Sequence, residues 1–108
     1  MGARSEYDAA YFTLLRAREE HDHLLRYREF LEAEQERLDA FAQATQRTTD
    51  AVPRQLRRPV DATTKALLEA VGRRRSVVLD ELGRMDDRIA GAEAFVQECE
   101  TEVAELRG

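Results

Sequence analysis

The chain has 108 residues, a net charge of −5, 43% hydrophobic and 36% charged residues, which gives room for one domain with a very polar surface. The acidic balance argues against general affinity for a nucleic-acid backbone or an anionic membrane, and a lone cysteine excludes an intramolecular disulfide. Aromatics are 6% of the chain, tryptophan is absent, and no apolar run approaches the ~20 residues that span a bilayer, so neither a ring-lined ligand cleft nor a membrane helix is expected.

Met1 to Glu6 lacks the apolar core of a secretory signal, and Glu6 stands where a myristoylation pattern needs a hydroxyl. The expectation is a cytoplasmic protein. A first helical arm is predicted over about 5–50, with Ser5 able to cap its first amides. Its apolar stripe is Ala10, Ala17, Leu24, Leu31, Leu38, Thr45 and Val52, at steps of seven. Tyr7, Leu14 and Ala42 occupy the companion heptad row, which turns polar at His21, Arg28 and Gln35.

Pro53 and Pro59 bracket the one credible turn, about 51–61, because proline donates no helical hydrogen bond and disfavours helix in the residue before it. Asp61 or Thr63 is the expected cap of the second arm, about 62–107. Within that arm Thr64, Leu68, Val71, Arg75, Val78, Leu82, Met85, Ile89, Ala92, Val96, Cys99, Val103 and Leu106 follow an unbroken 4-3 spacing. Such a 3.5-residue repeat keeps one helix face against a partner helix, and a strand would alternate at period two. The fold expected is all-α: a long antiparallel helical hairpin, a two-helix coiled coil. Gly72, Gly83 and Gly91 lie off the seam. A split of the arm at Gly72-Arg73-Arg74-Arg75-Ser76 is the structural alternative.

A hairpin buries one stripe per helix, yet apolar side chains also fall on the flanks. Phe12, Phe30 and Phe41 on the first arm and Phe95 on the second are the expected intermolecular face of a homodimer paired into a four-helix bundle. Charge is polarised along the sequence. Residues 44 to 76 hold eight basic and three acidic side chains, a net of +5, which leaves −10 on the rest. Arg54, Arg57, Arg58, Arg73 and Arg74 are the candidate tip, since guanidinium forks grip carboxylate or phosphate. An acidic protein partner is the leading expectation, and nucleic acid or a phosphate ligand the alternative. The bland reading leaves Arg73 and Arg74 solvated and pairs Arg75 with Gln35 or Glu36 across the seam.

Nothing in the sequence supports catalysis or a cofactor. His21 and His23 are two residues apart, so on a helix they diverge by about 200° and do not share a metal. Cys99 reads as a small seam hydrophobe. The carboxylate pairs read as helix surface, with no apolar neighbours to raise a pKa. The expectation is a non-enzymatic adaptor or structural protein without metal or cofactor.

Overall fold

The computed structural model describes residues 2–108. Two helices account for nearly all of them: α1, Gly2–Asp50, and α2, Arg57–Arg107, joined by a short turn and packed antiparallel as a helical hairpin. No strand occurs among the described residues. The all-α hairpin expected from the 4-3 spacing is therefore the fold.

Helix boundaries differ from the sequence expectation, and the reasons are local. α1 begins at Gly2, so Ser5 lies inside it instead of capping it. At its far end Ala51 N–H still reaches Arg47 O (3.2 Å) and Val52 N–H reaches Thr49 O (3.1 Å), a tightened last turn. Pro53 then forces Val52 out of helical geometry and itself sits extended, at φ −55° and ψ 146°. A single 3₁₀ turn, Arg54–Leu56, follows and runs directly into α2. Pro59 falls in the first turn of α2, where a missing N–H costs nothing because those amides have no intrahelical acceptor. The second proline thus starts a helix where the sequence reading had it extending the turn to 61. Asp61 and Thr63 are helix interior; Thr63 Oγ1 donates back to Pro59 O at 3.3 Å and caps nothing. Nor does α2 divide at Gly72: it is continuous, and no glycine before Gly108 has a positive φ.

Packing divides the molecule into two compact units, each using both helices: Met1–Glu29 with Arg84–Gly108, and Phe30–Gly83. In the first, which holds the chain ends, Ala10, Leu14 and Ala17 from α1 cluster with Cys99 and Val103 from α2, flanked by Tyr7 and Val96. Leu24, Met85 and Ile89 are also buried there, Met85 completely. Arg28 Nη1 meets Asp86 Oδ1 at 3.4 Å, Arg18 meets Glu100 at 3.6 Å, and Arg107 donates to the Tyr7 hydroxyl at 3.3 Å. These exposed pairs set register more than stability.

In the second unit, which holds the turn, Leu31 and Val78 are buried and Leu38, Leu68, Val71 and Leu82 half-buried. Nearer the turn the seam becomes polar. Thr49 is buried, donates to Thr45 O at 2.9 Å, and lies 2.6 Å from the Thr64 hydroxyl on α2. Arg75, on the predicted seam, is exposed and pairs with Asp39 at 3.0 Å instead of Gln35 or Glu36.

Candidate partner-binding tip

The turn is held by one side chain. Arg57 Nη2 donates to Asp50 O at 2.8 Å and to Val52 O at 3.4 Å, two carbonyls that helix and turn leave without amide partners. Its Nε is buried with no acceptor, so the guanidinium is committed to the turn at some desolvation cost. The 3₁₀ segment so braced projects Arg54, Gln55 and Leu56 outward. Leu56 is 58% exposed between these polar neighbours and Arg58, itself exposed on the first turn of α2.

The five candidate arginines therefore have three different situations. Arg57 is an internal brace. Arg74 Nε sits 3.3 Å from Glu34 Oε1, and Arg37 holds Glu34 Oε2 at 2.9 Å. The hydrogen bonds from Arg37 and then Arg74 keep the Glu34 carboxyl below its usual pKa. Arg54, Arg58 and Arg73 are exposed and make no hydrogen bond or ion pair with other described residues. Leu56 went unnoticed in the sequence because it belongs to no heptad row; its only signal was a leucine inside an arginine-rich turn.

A shallow groove of about 520 Å³ runs beside the turn, lined by Gln46, Thr49, Asp61, Thr64, Lys65, Leu68 and Glu69. On the other edge of the same seam Phe41 lines a second groove with Ala44, Thr48 and Val60. Phe30, half exposed, takes the Arg37 guanidinium 5.9 Å from its ring centre. In the unit with the chain ends, Phe95 lines a groove with Thr13, Ala17, Glu20 and Ala92. Phe12 is not part of that groove. It lies edge-on to Tyr11, centroids 6.1 Å apart, and Tyr11 stacks on Tyr7. The four phenylalanines are all exposed.

Cys99 is buried among alanine, leucine and valine, and this burial raises its pKa, with Glu102 and Glu98 adding to the effect. The sulfur is thus held as a neutral thiol. Among the described residues no three His, Cys, Asp or Glu side chains gather as a metal site. No helix is long and apolar enough to cross a membrane. The chain matches no family model, no curated protein and no solved structure with which it was compared.

Proposed function

We propose that this chain is a non-enzymatic interaction module of the cytoplasm: a homodimeric helical hairpin whose basic turn docks on an acidic protein partner. One observation carries the reading. The turn is braced from within by Arg57, and it offers a leucine to solvent between two uncommitted guanidiniums, Arg54 and Arg58. A rigid loop loses little entropy on binding. An exposed apolar side chain ringed by arginine suits an amphipathic segment that has a hydrophobic pocket and surrounding carboxylates. The surplus of +5 over residues 44 to 76 would steer such a partner to this end of the chain.

Phosphate is the competing ligand chemistry, and the same arginines serve it. A labelled peptide rich in Glu and Leu and a labelled single-stranded oligonucleotide, each titrated by fluorescence anisotropy at two salt concentrations, separate the two. The proposal expects the peptide to bind, to survive moderate salt in part through Leu56, and to lose binding in both Leu56→Ser and the pair Arg54→Glu with Arg58→Glu. Oligonucleotide binding that falls steeply with salt and ignores Leu56→Ser supports the phosphate alternative. If neither probe responds to the charge reversal, the turn is not a recognition element.

A further inference from the structure

We infer that the edge of the turn-bearing unit that carries Phe41 and Leu67 is the seat of an acidic amphipathic helix, laid in the groove between α1 and α2 as a third helix. The inference rests on the acidic-partner reading above, and it names the form of that partner and the surface that takes it.

Three observations carry it, all within residues 30–83. The first is register. Glu34, Phe41 and Thr48 follow one another at steps of seven on α1, and Val60, Leu67 and Arg74 do so on α2. Steps of seven keep each row on one face of its helix. The rows meet at both ends: Thr48 and Val60 line one groove, and Arg74 Nε reaches Glu34 Oε1 at 3.3 Å. Equal steps on two antiparallel helices then set Phe41 level with Leu67, midway between those contacts.

The second is unpartnered apolar surface. Phe41 is 48% exposed and Leu67 40%. Half-buried Val60 and the small Ala44, Thr45 and Thr48 leave a hollow beside Phe41. Large apolar side chains next to a floor of small ones accept the apolar row of another helix, whose anchors recur every three or four residues. Glu34 to Thr48 is a step of fourteen residues, about 21 Å or four helical turns. Leu56, four residues before Val60, stands at the turn end of the α2 row, so a helix in this groove runs out onto the turn.

The third is charge. Of the acids in residues 44 to 76, Asp61 and Glu69 line the groove on the opposite edge, and Asp50 accepts from Gln46, which lines that groove too. The Phe41–Leu67 edge keeps arginine. Arg37 and Arg74 share the single carboxylate of Glu34. Arg47, three residues past Ala44, is exposed, and its side chain makes no hydrogen bond or ion pair with a described residue. Three guanidiniums against one carboxylate select an incoming helix flanked by carboxylates and repel a basic one.

Fluorescence anisotropy on the full chain tests this with a labelled peptide of about eighteen residues, leucine on one helical face and glutamate elsewhere, long enough to span the groove. The peptide is expected to bind the wild type, and Phe41→Ser and Leu67→Ser are each expected to weaken it about tenfold or more. Lys65→Ser, on the opposite edge, leaves the affinity unchanged, and circular dichroism confirms that all three variants remain helical. A peptide with two central prolines, and one with lysine in place of glutamate, are expected to fail. Equal binding of the proline peptide overturns the helical partner, and equal binding of the lysine peptide overturns its charge. Binding that is abolished by Leu56→Ser but indifferent to Phe41→Ser and Leu67→Ser overturns the groove and spares the turn. A wild type that binds no glutamate–leucine peptide removes both readings. Sedimentation equilibrium without peptide should give Phe41→Ser the mass of the wild type; a loss of self-association assigns this edge to a second copy and overturns the inference.

Discussion

The Thr49–Thr64 pair makes a sharp test of how the seam is held near the turn. A hydroxyl has one proton, and Thr49 gives its own to Thr45 O, so in the 2.6 Å contact Thr64 is the donor and Thr49 the acceptor. Thr64→Val removes the donor and leaves the buried Thr49 oxygen half satisfied. Thr49→Val removes the acceptor and strands the Thr64 hydroxyl, which is only half-buried. Each single change is expected to cost about 1 kcal/mol. Valine and threonine share shape and nearly share helix propensity, so neither packing volume nor backbone preference confuses the comparison. The double variant strands nothing and places two methyls in contact, so its cost should fall near zero, a coupling of about 1–2 kcal/mol. Urea unfolding followed by circular dichroism at constant slope measures this. A thermal midpoint lowered about 4–8 °C in each single variant and restored in the double is the companion signature. Additive single effects, within about 0.3 kcal/mol, would refute the shared hydrogen bond.

Gly72, Gly83 and Gly91 lie within continuous helix, and a Cβ built on any of them meets nothing within 4 Å, so each glycine→alanine change should stabilise by about 1 kcal/mol in the same unfolding assay. Arg57→Met is expected to cost about 1–2 kcal/mol, toward the low end because the orphaned Nε goes with it, and hydrogen exchange should accelerate at residues 51–58 while distant helix stays protected. Glu34 binds its proton less readily when folded, so its contribution is present above the ordinary carboxylate pKa and is lost as pH falls through the lowered value; Glu34→Gln should flatten that part of the acid-unfolding profile. Cys99 behaves oppositely: with its folded pKa raised, stability should decline as pH climbs past the unfolded thiol's value near 9.0, a limb that Cys99→Ala abolishes. In the native wild type the thiol should react with a disulfide reagent only at the rate of unfolding.

The seam was legible because burial repeats and the sequence records the repeat. From Thr64 to Val103 every predicted seam position of α2 is buried or half-buried except Arg75, and on α1 the row from Ala10 to Thr45 behaves alike. Leu106 is exposed near the end of α2. The turn was less legible, because a proline means opposite things by position. Pro53 ends a helix and Pro59 begins one, and only the second lies where a lost amide is harmless. Asp39 was missed as the partner of Arg75 because heptad spacing does not fix the level at which the two arms meet across the turn. Among the tip residues, charge alone could not tell a bracing arginine from an available one. Arg57 and Arg58 are neighbours in sequence, yet a helical turn sends one inward to carbonyls and the other to solvent.

The Arg57 brace also bears on how the chain comes together. Its acceptors lie only five and seven residues upstream, so the clasp closes a loop small enough to carry little entropic penalty and does not need the distant ends to have met. Folding can therefore nucleate at the bend and zip outward by adding one heptad layer at a time, a route of low contact order. Damage far from the bend should then hasten unfolding and hardly slow folding. A chain assembled this way has its turn formed before the hairpin is complete.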